Sequence, residues 1–127
     1  MTGGTATTIL LWAGVAVLGG LGAVLRFLVD GAVIRRAARA FPLGTMTINV
    51  SGAALLGFLG GLALNKEMAL LAGTAFVGAY TTFSTWMLET QRLAEEYRFR
   101  AAVLNVAVSV LLGIAAALIG QQIGQRI

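Results

Sequence analysis

Residues 106–119 read VAVSVLLGIAAALI, an uncharged run whose single polar side chain is Ser109. A β-strand crossing a bilayer alternates apolar and polar residues, and a surface helix of a soluble protein keeps one polar face. This run does neither, so it reads as a helix surrounded by apolar material. Extended outward it stays uncharged from Ala101 to Ile123, and at about 1.5 Å per residue that spans the roughly 30 Å of a bilayer core. Three comparable runs precede it, at about 8–29, 41–64 and 68–88. Together they take up most of the 127 residues, leaving too little for a water-soluble domain. The expectation is one all-α integral membrane domain with four transmembrane helices.

Composition points the same way. Charged residues make up 11% of the chain against about a quarter in soluble domains, 58% of it is hydrophobic, and the mean hydropathy is +0.89. There is no Cys and no His, which removes disulfides, thiol nucleophiles, imidazole acid–base chemistry and the common zinc sites. The net charge of +4 does not build a nucleic-acid face, because the Arg residues fall between the apolar runs. Met1 to Thr8 lacks the basic segment of a cleaved signal peptide, so the first run is expected to remain as a span.

The links between runs are short: about 30–40, 65–67 and 89–100. A three-residue link makes the second and third helices antiparallel neighbours. Pro42 suits the start of the second helix, where a missing N–H costs nothing. In the last link Arg92/Glu96 and Glu95/Arg98 have helical spacing, which extends the third helix beyond the apolar run. Arg35, Arg36, Arg39, Arg92, Arg98 and Arg100 lie on one side of this map, with Arg26 near them, and only Lys66 and Arg126 lie on the other. The positive-inside rule then places both termini outside.

No Asp, Glu or Lys lies in the middle third of a span, so a proton-coupled pump lacks its carboxylate. The polar groups at depth are neutral: Asn49 in the second span, Asn105 and Ser109 at i,i+4 in the fourth, and Thr81, Thr82, Ser84 and Thr85 in the third. The segment Gly78-Ala79-Tyr80-Thr81-Thr82-Phe83-Ser84-Thr85-Trp86 joins Gly and β-branched Thr, both poor helix formers, at the centre of that third span. The third helix is expected to break there. Breaks at membrane depth are tolerated where the freed backbone groups hold an ion or line a polar cavity. Carbonyls of the break suit a cation, hydroxyls and amides suit an anion, and the rings of Phe83 and Trp86 offer electropositive edges. Small residues recur at four-residue spacing (Ala53, Gly57, Gly61; Ser109, Gly113, Ala117), so those helices are expected to pack closely.

On three segments, Gly22-Ala23-Val24-Leu25-Arg26-Phe27, Gly44-Thr45-Met46-Thr47-Ile48-Asn49-Val50-Ser51-Gly52 and Gly78 through Trp86, the chain resembles the small fluoride channel family, Fluc or CrcB. The resemblance covers nearly the whole chain. It implies an antiparallel, dual-topology dimer of four-helix subunits in the cell membrane, with two narrow pores that pass fluoride down its electrochemical gradient and a structural sodium ion at the centre. It further implies that Gly78 and Thr81 give backbone carbonyls to that sodium, and that Phe83, Trp86 (where the family has a second Phe), Asn49, Ser109 and Asn105 line the fluoride pathway. Thr82 and Ser84 are further donors, and Arg26 lies near a pore vestibule. Gly113 stands where some members carry a hydroxyl.

Charge bias sets the chain apart from the simplest family picture. A chain that inserts both ways should balance its Lys and Arg, and six against two is unbalanced. A homodimer is the first reading, since the same loops hold most of the acids, and a heterodimer with an oppositely oriented paralogue is the second. A small four-helix drug or cation exchanger would need a carboxylate in the first span, which has none. An enzyme built on Ser84 or Thr85 with Glu89 as base lacks an oxyanion-hole motif, so no enzyme is expected. A purely structural role resting on small-residue contacts would leave Asn49, Thr81 and Ser109 replaceable.

Overall fold

The computed structural model describes residues 4–36 and 41–127. Arg39, counted above with the basic side, lies outside them. The described chain is helical, in the order α1 (Thr5–Arg36), α2 (Leu43–Gly61), α3, α4 (Ser84–Glu95) and α5 (Phe99–Gln125). The rod α3 is three consecutive pieces: Lys66–Met68, a π-helical stretch Ala69–Val77, and Gly78–Tyr80. Of these helices α1, α2 and α5 are each long and apolar enough to cross a membrane. The third crossing is divided between α3 and α4 by an interruption at residues 81–83, within the segment where the sequence led us to expect a break.

Glycines record how the rods run. A Cβ on Gly57 would strike the Ala117 carbonyl, one on Gly61 the Gln121 carbonyl, one on Gly120 the Ala54 carbonyl and one on Gly124 the Phe58 carbonyl. Numbers rise together along this seam, so α2 and α5 are parallel with their backbones in contact. On α1, Gly14 meets Leu71, Gly19 faces the Ala75 carbonyl and Gly22 the Phe76 carbonyl, so α1 and α3 are parallel as well. Numbers run oppositely between α2 and α3, where Gly52 meets Thr81 and Gly73 meets Leu56. These are the alternating directions of a chain that passes back and forth with α3 and α4 as one passage.

Expectations about the links and the close contacts need correction. The first link was placed at 30–40, yet α1 continues to Arg36. Pro42 sits just ahead of α2, not in its first turn, and its carbonyl accepts from Met46 N–H at 3.3 Å. Gly113 has open space around it, and Gly120 and Gly124 make the close approach to α2 in its place. A helix presents one stripe to its neighbour, and positions 113 and 120 are seven residues apart, so a parallel pair that converges along its length meets one and leaves the other free.

Short-range chemistry ends the rods. Asn65 Oδ1 accepts from Met68 N–H at 2.9 Å and starts α3. Tyr97, at φ 59°, ends α4 in the left-handed region while Arg98 N–H closes on the Leu93 carbonyl at 2.9 Å, the six-to-one bond of a Schellman turn. Lys66 and Glu67, expected in a link, are helical.

The core is thin. Of the 32 residues of α1 only Gly22 is buried, while Leu10, Trp12 and Phe27 on α1 and Val103, Leu111 and Ile119 on α5 are exposed. In water such a surface would collapse or aggregate; hydrocarbon solvates it without cost. Stability therefore rests on the backbone contact of α2 with α5. Gly120→Val should cost about 1–3 kcal/mol by overpacking, whereas Gly113→Ala should change stability by less than about 0.5 kcal/mol. Thermal unfolding of the two variants in detergent checks the contrast.

Candidate functional site

At the interruption the chain leaves helical geometry at Thr81, whose φ of −83° and ψ of 164° are extended, and re-enters it at Phe83 (φ −85°, ψ −43°). The peptide groups of this step are met from α2. Asn49 Nδ2 donates to the Thr82 carbonyl at 2.8 Å, and Asn49 Oδ1 accepts from Thr82 N–H at 2.8 Å. One amide side chain thus replaces both bonds a continuing helix would have given that residue.

The consequence falls on two carbonyls. Thr82 N–H, which in an uninterrupted helix would close on Gly78, is turned to Asn49. Thr85 N–H, which would close on Thr81, is turned to Thr82 Oγ1 at 3.3 Å, and that hydroxyl is 3.1 Å from Thr85 Oγ1. Gly78 and Thr81 carbonyls are thereby released from the helical ladder. Both residues line an open groove of about 530 Å³, together with Asn49, Thr82, Phe83 and Trp86. Two hard oxygen donors without helical partners suit a hard cation. The Thr81 hydroxyl donates its one hydrogen back to the Val77 carbonyl at 3.0 Å.

Phe83 is 69% exposed at the rim, and its ring meets Trp86 edge to face, with centroids 5.8 Å apart and planes at 84°. The Trp86 Nε1–H donates to the Asn105 carbonyl at 3.2 Å, which ties α4 to α5. Asn105, 1% exposed, donates from Nδ2 to Thr90 Oγ1 at 2.9 Å. Its Oδ1 and the Ser109 Oγ, one turn along α5, are buried without a hydrogen-bond partner among the described residues. An unmet buried polar atom costs about 1–3 kcal/mol, so each marks a place for a ligand or a water.

Not every expected residue joins this groove. Asn105 and Ser109 are not among its lining residues, and Asn105 reaches it only through the Trp86 indole bonded to its main-chain carbonyl. Arg26 lines a separate cavity of about 230 Å³ with Asp30, Thr45, Thr82 and Thr85, so Thr82 borders both spaces. Ser84 is exposed and lines neither. From the sequence Glu89 was weighed only as the base of an enzyme, and Thr90 was passed over. Glu89 lies beside Thr45 and Asp30 with its Oε1 buried and unpartnered among the described residues. A carboxylate and a hydroxyl one turn past an aromatic were the available signals, hidden by the assumption that α4 beyond residue 88 is solvated.

The fold and the site define a helical protein of multi-pass membrane type, with a broken helix clamped by a neighbouring amide and an open polar groove at the break. Residues 13–121 match the family described as CrcB-like protein, Camphor Resistance (CrcB), and the chain belongs to that family. It is 72% identical over 121 residues to "Fluoride-specific ion channel FluC 2" of Mycolicibacterium paratuberculosis, covering 95% of this chain and 99% of the relative. It is 66% identical to the protein of the same name in Mycobacterium bovis, covering 98% and 99%. A third relative, "Fluoride-specific ion channel FluC 1" of Leifsonia xyli, is 45% identical over 87% of this chain and 83% of its own length. These relatives are ion channels by name, a class of transporter and not of enzyme.

If Asn49 clamps the break, removing its amide should loosen α3 from α4. Asn49→Leu, which strands the Thr82 N–H and carbonyl, should cost about 2–3 kcal/mol, and Asn49→Asp, which keeps the acceptor, should cost less. Chemical unfolding of both variants in detergent measures the order.

Proposed function

We propose that the chain is a subunit of a passive, fluoride-selective channel of the cell membrane. The observation that carries this reading is the single groove holding Asn49, Gly78, Thr81, Phe83 and Trp86 around a broken helix, in a chain whose relatives are named fluoride-specific channels. An ion the size of a carboxylate loses on the order of 20 kcal/mol on ideal transfer to low dielectric, and fluoride is smaller. Its hydration must be replaced by fixed donors. Asn49 keeps a second amide N–H beyond the one given to Thr82, and the Ser109 hydroxyl is uncommitted. The edges of Phe83 and Trp86 add positive partial charge. The Arg26 cavity is the vestibule in this reading, and its guanidinium draws anions toward Thr82. Chloride is excluded by width, and no carboxylate in the middle third of a span couples flow to protons.

The groove is open on one side, and in this reading a second, oppositely inserted copy closes it, giving two pathways. The Gly78 and Thr81 carbonyls would hold a structural sodium ion, which supplies fixed positive charge at the break. Their release from the helical ladder is the feature that fits it. A second reading, a heterodimer with an oppositely oriented paralogue, draws on the imbalance of Arg between the two sides and on relatives numbered FluC 1 and FluC 2.

Purified protein reconstituted in liposomes should release fluoride to an ion-selective electrode while retaining chloride; folded protein that passes no fluoride refutes the reading. Phe83→Leu, which deletes the ring edge, should slow release about three- to tenfold. Exchange of sodium for N-methylglucamine should lower the melting temperature, with up to about 2.7 kcal/mol lost if sodium had stood at a hundred times its dissociation constant. Crosslinking of the chain expressed alone separates homodimer from heterodimer.

A further inference from the structure

Thr90 lies one turn past Trp86 on α4, at the centre of a closed set of hydrogen bonds. Its Oγ1 donates to the Trp86 carbonyl at 2.8 Å and accepts from Asn105 Nδ2 at 2.9 Å, while the Trp86 indole donates to the Asn105 carbonyl at 3.2 Å. A hydroxyl has one proton. A carbonyl oxygen can only accept, so that proton is committed to Trp86, and Asn105 must turn its NH2 end toward Thr90. The orientation of the buried amide thus follows from the direction of one O–H bond. It leaves Asn105 Oδ1 buried and unpartnered among the described residues, one turn from the equally unpartnered Ser109 Oγ.

We propose that Thr90 is a positioning residue for permeation. Its proton decides which end of the Asn105 amide is offered beside Ser109, and the same set of bonds seats the Trp86 ring at the groove. The proposal rests on the channel reading above. It also refines the part expected of Asn105: one amide N–H is spent on Thr90, so the atom left without a partner beside Ser109 is an acceptor. An acceptor orients the hydrogen of a neighbouring hydroxyl or water and does not bind an anion itself. The free donors at this level are then the Ser109 hydroxyl and the second Asn105 amide N–H. Without Thr90 the amide is held at neither end, and a dipole that must reorganise during transit stabilises a passing charge less than a fixed one.

The test uses the full chain in liposomes with a fluoride electrode, comparing wild type, T90V, T90S, N105L and T90V/N105L. Fluoride release should fall about tenfold in T90V, the equivalent of one hydrogen bond. T90S, which keeps the hydroxyl, should conduct like wild type. The double variant should be no slower than its slower parent, because Thr90 acts through Asn105. T90V conducting like wild type, T90S as slow as T90V, or losses that multiply in the double variant would each overturn the proposal. Should T90V not fold, T90A against T90S reads the same contrast. In a Trp12→Phe background Trp86 is the one remaining indole of the two in the chain. Its emission should shift to the red in T90V or T90A and stay unshifted in T90S, and an unshifted emission in all of them overturns the proposal. A wild-type chain that passes no fluoride refutes the channel reading instead, and the emission series still decides the role of Thr90.

Discussion

Everything at the centre of this molecule depends on the two hydrogen bonds between the Asn49 amide and the Thr82 peptide group. A helix can be interrupted among apolar neighbours only if something meets the N–H and C=O groups it sets loose. Asn is suited to this because its side chain carries a donor and an acceptor in the geometry of a peptide. The clamp settles Thr82 and, by taking its N–H, frees Gly78; the Thr82 hydroxyl does the same for Thr81 by taking Thr85 N–H. The break is therefore a relay in which each satisfied group releases another that faces the groove.

The rest of the fold holds that relay still. With little buried apolar volume, the structure relies on backbones brought together at Gly57, Gly61, Gly120 and Gly124, where any Cβ would collide with a carbonyl. That seam fixes α5 against α2, and α2 carries Asn49. The indole of Trp86 and the amide of Asn105 then lock α4 onto α5. The two half-helices are thus tied to one parallel pair from opposite sides of the break. Among the described residues the buried polar side-chain atoms left unmet are on Asn105, Ser109 and Glu89, all carried by α4 and α5.

Much of this was legible from residue order. The run at 106–119 announced a helix in apolar surroundings, and Gly78 through Trp86 announced a weak point in the third passage. The close approach of the second and last helices followed from their small residues, although the spacing rule selected Gly113 where the contact is made by Gly120 and Gly124. A four-residue pattern marks a stripe, but the point along it where two helices touch depends on their crossing angle. The π-helical turns of Ala69–Val77 left no mark in the sequence. Thr90, in a stretch expected to be solvated, makes the i−4 bond that ordinarily satisfies an isolated Thr and also accepts a second one.

Residue order alone determined the environment and the polar inventory: which segments need hydrocarbon around them, that no thiol or imidazole is available and no carboxylate stands mid-span, and which neutral groups must find partners at depth. These follow from transfer free energies and covalent chemistry, which do not depend on neighbours. Pairing was decided only in three dimensions. That Asn49 meets Thr82 across 33 positions, that Gly78 and Thr81 are left open, and that Asn105 turns its NH2 to Thr90 are choices among many donors and acceptors of similar strength. Distance selects among them, and distance between remote residues is set by how the helices pack.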